Sequence, residues 1–253
     1  MEKNTVQVWD KVQEHSIEQD RYSIRKVLNS LEWRRTKKLI LDKFGSFKGL
    51  KSIEIGAGQG KHSVVLALKG VDVTVLDYSK SALEASKILF KRFNCKGKFI
   101  LMDALNLDKK LLSKFDISMS YGTAEHFIGE KRTKFIKTHF DVLKKEGITF
   151  ISVPNKLNLP YRTWMFLSQI FGKWRYGEEY PFSIWELKKI GNKIGKDFSV
   201  FGSNLFFTKF QFIRRIKKFF LGNDGFYKSS KERFATPLDK YLSQTIIAFG
   251  IKN

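Results

Sequence analysis

Between Lys51 and Pro154, short apolar runs alternate with segments of helical spacing, and this alternation most restricts the folds open to the chain. Lys51–Ile55, Val71–Leu76, Gly97–Leu101, Phe115–Ser120 and Gly147–Val153 read as strands, the last stopped by Pro154. Lys61–Lys69, Ser79–Phe93 and Glu130–Lys145 lie between them, with apolar residues recurring on one helical face. Strand and helix in turn require parallel strands joined by right-handed crossovers, hence a doubly wound α/β sheet. Asp197–Phe201 and Gln244–Ile251 extend it to seven strands, mostly parallel. Residues 1–50 read as helices preceding the sheet, among them Leu31–Phe44, ended by Gly45. Ser183 is placed to cap a helix from Ile184 to about Ile194. Residues 155–182 and 203–239 interrupt the rhythm as insertions.

Composition narrows the setting. The 253 residues are 42% hydrophobic, enough for one sizeable core, which excludes disordered and low-complexity scaffolds. Cys95 is the single cysteine, so a disulfide framework or a multi-cysteine zinc site is excluded. No apolar run approaches the roughly 18 residues of a spanning helix, and residues 1–20 lack the apolar core of a signal peptide. A cytoplasmic, reducing location is expected. The net charge of +22 favours an anionic partner. Most of these cations are Lys spread over every segment, rather than the Arg-rich face that phosphate recognition favours.

The segment Ile53-Glu54-Ile55-Gly56-Ala57-Gly58-Gln59-Gly60 carries the chemistry. A strand runs into a glycine-rich turn that opens a helix, the arrangement a ligand needs to approach the backbone closely. Glu54 precedes the turn inside a strand, where an ionised carboxylate needs a cation or hydrogen-bond donors. Asp77 ends the second strand, followed by Tyr78, where an acid accepts from ribose hydroxyls. Asp103 follows the third strand at the same edge of the sheet. There it either receives an adenine amino group, with the small Ala104 leaving room for the ring, or caps the next segment. The spacing Gly-x-Gly-x-Gly departs from the Gly-x-Gly-x-x-Gly of nicotinamide enzymes, so no pyrophosphate is required.

Ile53–Gly60, Asp77, Asp103 and Phe115-Asp116-Ile117 together resemble a class I S-adenosylmethionine-dependent methyltransferase, within the broad small methyltransferase-domain group. Gly122-Thr123-Ala124-Glu125-His126-Phe127 after the fourth strand, and Val142–Gly147 before a strand ending Val153-Pro154-Asn155, match the same group. The resemblance covers roughly residues 30–200 and the closing strand. It implies a Rossmann-like fold with helical and aromatic caps, and S-adenosylmethionine as cofactor. Glu54 would lie near the cofactor's ammonium, and Gly56, Ala57, Gly58 and Gly60 beneath its methionyl and ribose part. Asp77 and Tyr78 would hold the ribose, and Asp103 and Ala104 would frame the adenine. Ser120, Tyr121 and Gly122 would line the path to the sulfonium methyl. His126 and Tyr121 are candidate catalytic groups, His126 as a general base or else as a histidine hydrogen-bonded beneath the cavity.

Some relatives with a Glu-x-x-Glu-His arrangement bind a divalent cation. Here Gly122 stands three before Glu125, so no metal is expected. His15, His62 and His139 read as surface or packing residues. The caps would select the acceptor: Tyr161, Trp164, Met165, Trp174 and Tyr176 suit a small apolar or aromatic molecule, a role that plain packing of these residues also explains. Residues 205–220 combine Phe with basic residues at helical spacing, fitting either peripheral contact with an anionic membrane or packing on the domain itself. Methyl transfer to O, N or C of a small molecule is the first expectation. An RNA or lipid-like acceptor and a non-catalytic cofactor-binding subunit are the alternatives. The oligomeric state is not legible.

Overall fold

The computed structural model describes residues 20–203 and 237–253, with side chains from residue 23 onward. Seven strands form one sheet in the order β3-β2-β1-β4-β5-β7-β6. They are β1 (Lys51–Ile55), β2 (Asp72–Asp77), β3 (Lys98–Leu101), β4 (Phe115–Tyr121), β5 (Leu143–Pro154), β6 (Lys196–Gly202) and β7 (Thr245–Ile251). β7 runs antiparallel to both of its neighbours, and every other pairing is parallel. The strand order reverses between β1 and β4, so a crevice opens beyond their carboxyl ends, the place where such sheets take ligands.

Helices cover both faces. α1 (Asp20–Asn29), α2 (Leu31–Phe44), α3 (Lys61–Ala67) and α4 (Lys80–Arg92) pack on one side, with Ile24, Trp33, Ile40, Val65 and Phe90 against Val73, Val75, Ile117 and Phe150. α5 (Gly129–Asp141) and α7 (Ile184–Gly191) cover the other, burying Phe135, Phe140 and Leu187 against Ile53, Ile55, Ile151 and Val153. Because side chains alternate along a strand, Ile53 and Ile55 on the α5 face put Glu54 on the α3 face. The same period turns Tyr121 toward α2, two residues beyond Met119. α2 and α4 begin at the N-caps Ser30 and Ser79, whose hydroxyls accept from Trp33 N and Ala82 N.

Three boundaries differ from the sequence reading by three residues or more. The helix expected over Glu130–Lys145 stops at Asp141, and β5 begins at Leu143 rather than Gly147. Lys144, Lys145 and Glu146 suit a helix, but the strand is selected by distant contacts. Leu143 pairs with Phe115, and the Lys252 ammonium takes the Leu143 carbonyl at 2.6 Å. α7 ends at Gly191 rather than near Ile194, and the Phe198 ring occupies the space that a Cβ at Gly191 would need. The 155–182 insertion contains a helix, α6 (Leu159–Ile170), capped by Asn158 through Tyr161 N. A short α8 (Asp239–Leu242) precedes β7, and Asn155 Nδ2 donates to the Tyr241 and Ser243 carbonyls beside it. Residues 205–220, read as an amphipathic stretch, lie outside the described residues. No helix among the described residues is long and apolar enough to cross a membrane.

Candidate active site

The turn after β1 is held from two sides. Gly56 N and Ala57 N both donate to the Leu76 carbonyl of β2, at 2.8 and 3.2 Å, and Gly60 enters α3 in the left-handed conformation. Gly56 has φ +64°, and a Cβ there would fall 2.4 Å from Thr123 Cγ2, while Thr123 Oγ1 donates to the Gly56 carbonyl at 2.9 Å. The glycine turn and the loop after β4 therefore interlock. Gly56→Ala combines dihedral strain with overlap and is expected to cost about 2 kcal/mol of unfolding free energy. Gly70, at φ +86° with open space around it, should cost less on the same change. Urea midpoints of the two variants compare them directly, and equal losses would dismiss the interlock.

Glu54 is 2% exposed. One carboxyl oxygen accepts from Ser63 N at 2.9 Å in the first turn of α3, and the other lies 3.8 Å from His62 Nδ1. Burial pushes the Glu54 pKa up to about 7, against the lowering effect of the Ser63 hydrogen bonds. His62 offers no countercharge, since burial pulls its pKa down to about 3. Far from being a surface or purely packing residue, His62 stacks on Tyr121 with ring centroids 3.4 Å apart, beside the Glu54 carboxyl. The sequence signal was its place one residue before the buried Ser63, at the opening of a helix that starts from the glycine turn. Tyr121 has its hydroxyl pushed well above 10, first by burial and then by Glu32 and Glu54. The phenol is neutral at physiological pH and sits on the N-terminal helix face of the sheet.

Asp77 braces the glycine turn. It accepts from Gly58 N at 2.8 Å through one oxygen and from Ser79 N at 2.9 Å through the other. Tyr78 beside it is exposed, as is Asp103. Asp103 closes a local turn, accepting from Leu105 N and Asn106 Nδ2, both at 2.8 Å. It occupies the sheet edge without opening a helix. Ala104 packs beneath, with its carbonyl taking Thr138 Oγ1. Ser120 is fully buried and its hydroxyl has no hydrogen-bond partner, while Gly122 turns the chain away from β4 at φ +78°.

Glu125 and His126 sit on a single 3₁₀ turn, Ala124–His126. Glu125 is buried and its Oε2 has no hydrogen-bond partner. Burial first, then Glu179, raises its pKa well above the usual carboxyl range. His126 Nδ1 lies 2.8 Å from the Glu178 carbonyl, and burial lowers the imidazole pKa to about 4, leaving it neutral and weakly basic. A ligand atom from each of Glu125, His126 and Glu179 falls within 4.8 Å of the other two. The two adjacent residues thus share a neighbourhood, through a third group that sequence spacing did not single out.

Residues 53–147 match the family described as a methyltransferase domain. Over these residues the chain is similar to a methyltransferase domain. Over 110 residues the chain is 33% identical to a ubiquinone biosynthesis O-methyltransferase of Pelagibacter ubique (strain HTCC1062), covering 43% of this chain and 44% of that protein. The aligned region is thus less than half of that relative's length. A Thermotoga maritima S-adenosylmethionine-dependent methyltransferase, described as a possible histamine N-methyltransferase, superposes with TM-score 0.64 over 98% of this chain and 99% of its own, at 16% identity. Magnesium protoporphyrin IX methyltransferase of Synechocystis PCC 6803, with SAH bound, gives TM-score 0.55 over 87% and 80%, again at 16%. At these identities the two solved structures establish a common fold, that of S-adenosylmethionine-dependent methyltransferases. Glu54, the glycine turn, Asp77, Asp103 and the Glu125-His126 turn all fall inside the matched segment.

The cap, residues 155–182, lies beside the Glu125-His126 turn. Tyr161, Trp164, Trp174 and Tyr176 form a chain of rings with successive centroids 5.0 to 5.9 Å apart. Trp174 Nε1 donates to the Gly177 carbonyl at 2.6 Å and Tyr161 donates to Glu179 at 2.5 Å. Tyr180 N donates to the Glu125 carbonyl at 2.8 Å, and Arg132 reaches from α5 to the Tyr180 carbonyl.

Proposed function

We propose that the chain binds S-adenosylmethionine over the glycine turn and transfers its methyl group to a hydroxyl oxygen of a small, apolar or aromatic acceptor. One observation carries this reading. A buried carboxyl, Glu54, stands beside the turn, and among the described residues its ionised form is matched by no side-chain cation, since His62 is neutral. A ligand ammonium would supply that charge. Asp77 stands at the end of β2 for a ribose diol, and Asp103 at the next strand end for the adenine. The ring chain from Tyr161 to Tyr176 supports an acceptor with a flat apolar body. The choice of oxygen draws on the name of the Pelagibacter relative.

The residues work by positioning. Holding acceptor and methyl in line, away from water, supplies most of the acceleration in a displacement of this kind. S-adenosylmethionine supplies the electrophilic methyl. The chain's part is to fix the amino-acid end at Glu54 and the sugar at Asp77, and to shelter the acceptor under the cap. The test is calorimetry with S-adenosylmethionine and its demethylated product, followed by incubation of phenolic, carboxylic and RNA acceptors with labelled methyl donor. Binding of the nucleoside with label in a small phenolic or hydroxylated acceptor is expected. Label in RNA alone, or no heat with either nucleoside, would overturn the proposal.

A further inference from the structure

We propose that Glu125, His126 and Glu179 form a binding site for a divalent cation of the zinc or manganese class, tying the cap to the turn after β4. Two carboxylates and an imidazole come within 4.8 Å of one another, drawn from segments more than 50 residues apart in the chain. Glu125 Oε2 is buried and lacks a hydrogen-bond partner, a costly state that a cation relieves. The nearby Arg132 is engaged elsewhere: its guanidinium donates to the Phe127 and Tyr180 carbonyls and to Glu186.

The surroundings resemble the outer shell of a metal site. Tyr161 donates to Glu179 Oε2, fixing that carboxylate. The Glu178 carbonyl lies 2.8 Å from His126 Nδ1 and orients the ring from the cap side. Ligands bound at about 2.1 Å sit roughly 3–3.5 Å from one another, so small side-chain movements close the set. Oxygen donors with one imidazole suit Mn²⁺ or Zn²⁺ over soft-ligand metals. Residues close in sequence do not complete the ligand set, since Gly122 stands three before Glu125; Glu179 arrives from the cap in its place.

The test uses the full chain, stripped with a chelator and titrated with Mn²⁺ or Zn²⁺ alone. Retained metal is measured by mass spectrometry after desalting, and bound Mn²⁺ by electron paramagnetic resonance. About one equivalent per chain is expected, with affinity falling tenfold or more in both Glu125→Gln and Glu179→Gln. Melting curves without metal establish that each variant is folded. Should Glu125→Gln not fold, Glu179→Gln decides, because that residue lies on the partly exposed cap. Substoichiometric retention, or affinity unchanged in Glu179→Gln, overturns the proposal. The nucleoside takes no part in these titrations, so their failure leaves the methyl-transfer reading standing, and failure of that reading leaves the metal result intact.

Discussion

Glu54→Gln is expected to weaken S-adenosylmethionine binding by about 10- to 100-fold at neutral pH, the cost of losing a charge-assisted contact, while the ligand-free protein stays at least as stable. The reason is the burial of the carboxyl. Its folded pKa of about 7 lies above the ordinary 4.5, so the folded state holds a proton that the unfolded chain releases. Stability from this group is therefore lost as pH rises from 4.5 through 7, by on the order of 3 kcal/mol. Glutamine keeps the shape and removes that titration, so the ligand-free variant should show a flatter stability curve and match or exceed the parent at pH 8. Binding runs the other way, because the ligand ammonium requires the ionised carboxylate. With a pKa near 7, the ionised fraction rises about 15-fold between pH 5.5 and 7.0, and the parent's affinity should tighten accordingly. Calorimetry across that range reads the effect. A pH-independent Kd, or full affinity in Glu54→Gln, would separate Glu54 from the ligand.

The residues that make this prediction possible are local in sequence. Glu54, the glycines and Asp77 announce themselves because a strand end, a tight turn and the next strand end recur at short spacing, and the backbone imposes that spacing. The central strands were legible for a similar reason, since β1, β2, β4 and β7 are apolar runs buried on both faces. What escaped depends on contacts across the fold. His62 looked like a surface or packing histidine because nothing in its neighbourhood shows that Tyr121 will stack on it, an outcome of β4 pairing with β1. Thr123 appears unremarkable until the glycine turn folds against it. β5 starts early because Lys252, at the far end of the chain, satisfies the Leu143 carbonyl. Glu179 is one of two adjacent acids in a Trp- and Tyr-rich insertion, and only docking of the cap brings it to Glu125.

That docking rests on Arg132, and Arg132→Ala should cost about 3–4 kcal/mol, lowering Tm by about 10 °C for a domain of this size. The residue is 8% exposed. Its Nε donates to the Phe127 carbonyl at 2.8 Å, one terminal nitrogen to Glu186 at 2.6 Å, and the other to the Tyr180 carbonyl. The guanidinium plane also lies 3.8 Å over the Phe182 ring. Truncation leaves two carbonyls and a carboxylate without their donor and removes the contact that holds residues 178–182 to α5. Arg132→Lys should recover less than half of the loss, since an ammonium cannot match a fork that meets three acceptors and a ring at once. Hydrogen exchange in the chelator-treated protein should quicken at residues 178–182 and at Glu125–Phe127. The glycine turn, which Arg132 does not touch, should keep its protection and S-adenosylmethionine its affinity. A Tm within 2 °C of the parent would mean that the cap is held by its aromatic packing, with the guanidinium a bystander.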